Sequence, residues 1–372
     1  LNITIVGAGI GGLAAATCLA QSGHRVHVLE AAQELSEVGA GIQISPNAMR
    51  ILDSISLKEI FYKEGTKNEG AVLRRYDDGR VLGKHRANSL ELYGYHNLTL
   101  HRADYQRILY DAAVKADVDV SFGKKVVSVD TSTPSLALQD GSIIKSDLVV
   151  GADGIGSRIR SAMFPNIHPN ATPDCAFRII LTREQMLSNP LLSPFILEPS
   201  SNVWFGPYRH IVAYTFRGTK LFNVVVCGPG TAKTGVWNEP ADLGDLKKEY
   251  AEYDDTVKAL LRVAKECQKW RISEVPDLPS WRNGNGTLVL LGDSAHAMMP
   301  YMAQGATQAI EDAAALSGCL AKAQSLEDVP RLTQAYEAIR KVRAEKIKAT
   351  SHGNMKQYGL PDGPEQEARD EM

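Results

Sequence analysis

"ITIVGAGIGGLAAATCLAQSGHRVHVLE", residues 3–30, decides the fold. Short β-rich runs at 2–6 and 25–29 flank an Ala/Leu-rich stretch, 11–22, whose composition predicts a helix. Between strand and helix, Gly7, Gly9 and Gly12 form G-x-G-x-x-G. The first glycine permits a tight turn, the second lets backbone approach a pyrophosphate, and the third lets helix pack on strand. The helix amino terminus then offers unpaired N–H groups and its positive dipole end to phosphate. Glu30 ends the second strand, where a carboxylate accepts both hydroxyls of an adenosine ribose. An acid at that point repels a 2′-phosphate. The turn therefore predicts a dinucleotide site but does not choose between a nicotinamide and a flavin.

The rest of the chain narrows the class. With 372 residues, 44% of them hydrophobic, it has material for two domains or one elaborated one. A net charge of -2 gives no reason to expect nucleic acid or an anionic membrane as partner. The five cysteines are scattered, without a CxxC or a Cys/His cluster at metal-ligand spacing. They read as reduced thiols in a cytoplasmic protein with no metal site. Three N-x-Thr sequons, at Asn97, Asn170 and Asn285, are by the same argument chance matches. No apolar run approaches the ~20 residues of a spanning helix, and no signal peptide is visible.

Local patterns set the organisation. Residues 45–64 read as one helix with Pro46 near its first turn, and 103–116 as an amphipathic helix. Asp78-Gly79 marks a hairpin within 71–86. From about 167 to 280, alternating runs at 202–206, 210–217 and 221–227 predict an antiparallel sheet with one face toward a cavity. A long helix is expected over roughly 328–350. The expected fold is α/β with an α+β insert. A Rossmann-like nucleotide domain (1–70, 100–166 and 284–327) is interrupted by a β-sheet substrate domain (71–99 and 167–283), and a C-terminal helix and tail (328–372) follow.

A second segment settles the cofactor. "LVLLGDSAHAMMPYMAQGATQAIEDAAAL", 288–316, places Gly292-Asp293 at the end of a β-run, then Pro300 and Gly305-Ala306 before a helix. A carboxylate leaving a strand suits a polyol such as a ribityl chain. The Gly-Ala pair supplies N–H groups for an electron-rich ring edge. A nicotinamide dinucleotide has no ribityl chain.

"VVGADGIGSRIR", 149–160, adds Asp153-Gly154, Ser157 and Arg160. Together the three segments resemble the single-component FAD-dependent aromatic hydroxylases of the p-hydroxybenzoate hydroxylase fold. "EVGAGIQISPNAMRIL" and "MPYMAQGATQAIEDA" look most like the salicylate-hydroxylase-like branch. The resemblance covers residues 2 to about 345. It implies tightly bound FAD, with NADPH or NADH visiting transiently, and no second GxGxxG is present to hold the nicotinamide. It also implies roles by position. Ala40 and Gly41 lie close to the isoalloxazine, Arg102 approaches the phosphate and ribityl region, and Asp293 binds a ribityl oxygen. Gly305 and Ala306 meet the ring edge, and Asp153 belongs to a segment associated with both FAD and NAD(P)H. Arg160 has a second reading as partner of a carboxylate.

The implied reaction transfers one atom of O2, activated at the flavin C4a position, to an electron-rich aromatic small molecule, phenolic or indolic. Secondary metabolism or aromatic catabolism is the expected setting. Alternation in "WFGPYRHIVAYTF" puts His210, Val212, Tyr214 and Phe216 on one face, with His210 and Tyr214 about 13 Å apart at ~3.3 Å per residue. The "RHxxxY" arrangement resembles hydroxylases in which the His and Tyr act in substrate deprotonation. Arg178, in "CAFRIIL", matches a family Tyr-Arg-Gly only in its arginine. All three have a structural alternative as satisfied residues of the sheet. Trp204, Tyr208 and Tyr301 are expected as pocket walls. Two other classes retain the FAD motifs: a flavin oxidase or dehydrogenase, and a non-catalytic flavin-binding redox protein.

Overall fold

The structure is a computed structural model describing residues 1–35, 40–68, 70–86, 88–233, 236 and 239–372. Residues 37–39, at the start of "EVGAGIQIS", lie outside it.

A five-stranded parallel sheet forms from strands distant in sequence, in the order Leu288–Leu290, Leu148–Gly151, Asn2–Val6, Arg25–Leu29, Asp119–Ser121. Strands Asn2–Val6, Leu148–Gly151 and Leu288–Leu290 are buried at nearly every position, leaving no solvent side to call for alternation. Helix Ile10–Gln21 packs against Gly305–Leu320 and against Arg102–Lys115. The approach is close: a Cβ on Gly11 would lie 2.9 Å from the Ala309 Cβ.

The second large sheet has eight strands, in the order Glu239–Pro240, Gln268–Glu274, Asn170–Thr182, Leu221–Pro229, Arg209–Phe216, Ser201–Gly206, Gly70–Arg75, Val81–Arg86. It is antiparallel except where Ser201–Gly206 meets Gly70–Arg75 in parallel. That parallel join departs from the expected pattern, because strand 70–75 comes from an early stretch of chain rather than from a neighbouring hairpin. The far face packs Ile179, Leu181, Trp204, Ile211 and Phe222 against residues such as Leu246, Tyr250 and Leu260. Leu246 and Leu260 sit on helices Leu243–Glu249 and Asp255–Val263, with Tyr250 capping the first, and the β-rich texture of 167–280 did not predict these helices.

A small antiparallel sheet, Gly41–Ile44 with Leu98–His101 and Thr66–Lys67, carries Gly41 and leads directly into Arg102. The single helix expected at 45–64 is two, Pro46–Ser54 and Lys58–Glu64, broken at Ser56, whose φ is +63°. Helix Val329–Tyr358 exceeds its expected end by two turns and, at ~1.5 Å per residue, is about 45 Å long. It reaches from the nucleotide sheet to the large sheet. Tyr336 Oη donates to the Leu290 carbonyl, and Tyr358 packs on Phe205 with ring centres 4.8 Å apart. Among the described residues no helix is long and apolar enough to cross a membrane.

Candidate functional site

The glycine turn has the geometry its spacing demands. Gly7 has φ +106°, and a Cβ there would sit 2.4 Å from the Ala152 carbonyl oxygen. A Cβ on Gly12 would fall 2.0 Å from the Gly7 carbonyl oxygen. Gly9 caps helix Ile10–Gln21, and a Cβ on it would meet nothing within 4 Å, which leaves that backbone open to a ligand. Glu30 braces the turn: its two carboxylate oxygens accept the N–H groups of Ala8 and Ala32, each at 2.8 Å. Each oxygen retains a lone pair for a ribose hydroxyl. Beside it lies a cavity of about 140 Å³ lined by Gly9, Glu30, Glu34, Arg102 and Gln106, among others. Sequence reading missed Gln106, whose amide donates to the Ala8 carbonyl at 2.7 Å. Four residues after Arg102 on the same helix, it occupies the same face, which is the signal that would have found it.

Arg102 opens helix Arg102–Lys115, its backbone N–H on the Ala40 carbonyl at 2.8 Å. Arg102 is thus tied to the residue that precedes the Gly41 strand. Asp293 is exposed at the start of the short helix Asp293–His296, after Gly292 with φ +65° and ψ −140°. Pro300 is exposed, and Gly305 and Ala306 open helix Gly305–Leu320 with unpaired N–H groups. A Cβ on Gly305 would meet nothing within 4 Å. An acid, a proline turn and an open helix end, in that order after the glycine turn, suit a ribityl chain and a flavin ring edge.

Asp153 and Arg160 bind each other's loop. One Asp153 oxygen accepts the N–H groups of Arg158 at 2.7 Å and Ile159 at 3.3 Å, while the other is buried with no partner in the protein. Burial holds this carboxyl above its ordinary range. Arg160 is almost wholly buried and donates to the carbonyls of Ile155 and Ser294, the latter at 3.0 Å. It ties the Asp153-Gly154 loop to the Gly292-Asp293 turn through backbone oxygens.

The large sheet presents its other face to these elements. Tyr214 and Asn223 are directly opposed on neighbouring strands. A Cβ on Gly41 would lie 2.8 Å from Tyr214 Cε2 and 3.1 Å from Asn223 Cβ. The Gly41 strand therefore touches the sheet at this tyrosine. Burial raises the Tyr214 phenol, against a smaller opposing pull from Arg178. Arg178 stacks on Trp270, its guanidinium carbon 4.3 Å from the ring centre. Burial brings its guanidinium down to about 10; Tyr214 opposes the shift and Arg102 adds to it. Arg102, Arg178 and Tyr214 thus share one electrostatic neighbourhood.

His210 does not join them. It faces Cys227 at the other end of the strand, its ring 5.0 Å from that of Tyr301 and 5.4 Å from that of Tyr358. Burial takes its imidazole down to about 3, so it is neutral. Two expected walls are misplaced. Trp204 lies on the far face, its indole N–H on Asp254 at 3.0 Å, and Tyr208 is a two-thirds exposed turn residue with φ +58°. Tyr301 is buried beside His210. Asn223 was missed, although it is fully buried and neither amide atom has a partner.

Comparison with known proteins identifies the family. Residues 1–351 match the FAD binding domain family. The chain is 36% identical to FAD-dependent monooxygenase OpS4 of Beauveria bassiana, covering 100% of this chain and 88% of that one. It is 33% identical to 6-hydroxynicotinate 3-monooxygenase of Pseudomonas fluorescens, over 95% and 91% of the two chains. Among solved structures, a salicylate hydroxylase substrate complex superposes with a TM-score of 0.85 at 24% identity, covering 100% of this chain and 92% of that one.

Proposed function

The chain belongs to the FAD binding domain family and is an FAD-dependent aromatic monooxygenase, and on that premise we propose that its substrate, an electron-rich phenolic or indolic ring, lies beside the contact of the Gly41 strand with the large sheet, against the face bearing Arg178 and Tyr214. The observation that supports this is the contact of Gly41 with Tyr214 and Asn223, which sets polar side chains of the sheet against the strand assigned to the flavin ring. FAD, when bound and reduced by NAD(P)H, would activate O2 so that one oxygen atom goes to the ring and the other leaves as water.

The chain's own residues supply position and proton control. Glu30, Arg102 and the Gly7–Gly12 turn anchor the adenosine and pyrophosphate end, and Asp293 with the Gly305 helix start holds the ribityl and ring end. Arg178 offers fixed positive charge to a phenolate or carboxylate on the substrate, where a planar guanidinium makes paired hydrogen bonds. Tyr214, held protonated by burial, donates its hydroxyl hydrogen bond to the substrate oxygen and so stabilises negative charge on it. His210 is neutral and packed between Tyr301 and Tyr358, so we assign it to the wall that excludes water rather than to the base. We also place the protein in the cytoplasm, a reading supported by five buried cysteines, none in a disulfide.

The test is NAD(P)H oxidation in air by FAD-loaded protein with phenols, phenolic acids and indoles, assaying hydrogen peroxide in parallel. A compound that accelerates oxidation with little peroxide identifies the substrate class. Peroxide stoichiometric with NAD(P)H for every compound overturns the assigned pocket.

A further inference from the structure

Behind the residues assigned to FAD lies a buried polar network that none of those roles uses. Asp312, on helix Gly305–Leu320, is fully buried. One of its carboxylate oxygens accepts the Gly292 backbone N–H at 2.9 Å and lies 2.7 Å from His296 Nε2. The other accepts Arg340 Nε at 2.8 Å. Arg340 comes from the C-terminal helix and is itself 3% exposed. Its remaining nitrogens donate to Glu311 at 2.6 Å and to the Gln308 side chain at 2.7 Å.

The network runs on from there. Glu311 accepts the Asn47 amide at 2.7 Å, and that amide also lies 3.3 Å from the Gln304 side-chain oxygen. Gln304 caps the helix that opens with Gly305 and donates to Ser45 Oγ at 3.2 Å. Ser45 directly follows strand Gly41–Ile44 and sits 3.0 Å from Thr307 Oγ1.

Three separate stretches of chain, the Gly292-Asp293 turn, the Gly305-Ala306 helix start and the Gly41 strand, are therefore joined by one set of side chains, none of them among the residues assigned to FAD. We propose that Asp312 and Arg340 are positioning residues for the flavin site: they hold these three elements in mutual register, so that retention of FAD depends on an arginine of the C-terminal helix.

The inference rests on the FAD reading above. Its physical basis is that a buried charge network is strongly damaged by loss of one member, since the remaining charges are left uncompensated. Gly292 is the sensitive point. Its φ of +65° is held by the Asp312 hydrogen bond, and the Asp293 carboxylate follows from that backbone.

The experiment strips FAD from wild type, Arg340→Met, Arg340→Lys, Asp312→Asn and Lys348→Met, titrates each with FAD by flavin fluorescence, and melts each with and without FAD. Lys348 is the comparison. It lies on the same helix, is also buried, and is ion-paired with Asp277 at 2.8 Å, outside the network. Arg340→Met and Asp312→Asn should weaken FAD binding at least 10-fold. Arg340→Lys should fall between them and wild type, and Lys348→Met should bind within 2-fold of wild type even as its melting temperature drops. FAD should raise the melting temperature of Lys348→Met as much as that of wild type, and raise that of the two network variants less.

Unchanged FAD affinity in Asp312→Asn and Arg340→Lys, with only a lowered melting temperature, overturns the proposal. Those two conservative variants carry the test if Arg340→Met does not fold. Wild-type protein that fails to bind FAD would instead sink the cofactor reading itself.

Discussion

The guanidinium carbon of Arg178 lies over Trp270, 4.3 Å from the ring centre. A cation held this way keeps its charge in a desolvated setting, because the ring's negative face stands in for lost water. Lysine cannot reproduce the stack or the paired donors. Arg178→Lys is expected to retain FAD but lose about 10- to 100-fold in kcat/KM for an anionic aromatic substrate, the scale of ~1.5–3 kcal/mol for a hydrogen bond to a charged group. Steady-state kinetics beside flavin content measure it. Equal kcat/KM for the two proteins would return Arg178 to a packing role.

Gly41 has no room for a methyl group, with Tyr214 at 2.8 Å and Asn223 at 3.1 Å from the position it would take. Gly41→Ala must push the flavin-side strand and the sheet apart by several tenths of an ångström. The expected effect falls on coupling: product per NAD(P)H drops at least 3-fold and peroxide rises correspondingly. Wild-type coupling in this variant would mean that the two surfaces do not meet across the reacting ring.

Asp293 is exposed at the end of its turn. Its removal should therefore spare the fold, as surface changes usually stay within ~0.5 kcal/mol. Asp293→Ala is expected to melt like wild type when both lack FAD and to bind FAD about 10- to 100-fold more weakly, on the scale of one charge-assisted hydrogen bond. A variant that purifies with full flavin contradicts the ribityl assignment.

His210 carries a pH signature. Its imidazole titrates near 3 when folded, against 6.5 when free, because burial penalises the charged form. Between those values the unfolded chain binds the extra proton, so acid favours unfolding. The His210 contribution to stability is fully present above about pH 6.5 and is lost as pH falls toward 3. Denaturant unfolding of wild type and His210→Phe between pH 4.5 and 7.5 should show a steeper acid loss for wild type. Parallel curves would mean that the ring is solvated and free to act as a base.

The parts of the site legible in sequence are those where one backbone position imposes its own residue. Gly7 and Gly12 are forced by close approaches to backbone oxygen, and such constraints are local and leave a fixed spacing. Trp204 shows a signal available but unused. The two-residue turn Pro207-Tyr208 sets the hairpin register, which pairs Phe205 with His210 and Trp204 with Ile211, so parity alone sends Trp204 to the far face. Ser56 is different: apolar periodicity continues across it, and only its left-handed backbone ends the helix. Asn223 and the Asp312–Arg340 pair were illegible for another reason. Their partners lie tens to hundreds of residues away, and a single chain read alone carries no trace of such pairing.

The order of strands in the parallel sheet also bears on how the protein is made. Strand Leu288–Leu290 forms one edge of that sheet, beside Leu148–Gly151. During synthesis the apolar edge of Leu148–Gly151 must wait for the 136 residues from 152 to 287, including six of the eight strands of the larger sheet, to leave the ribosome. At about 5–20 residues per second that wait is roughly 7 to 30 s. The inserted domain, whose hairpins close locally between residues 201 and 229, has time to fold first. Chain order therefore lets these hairpins pair before the nucleotide sheet can be finished. During the interval an unpaired hydrophobic strand stands open to chaperones.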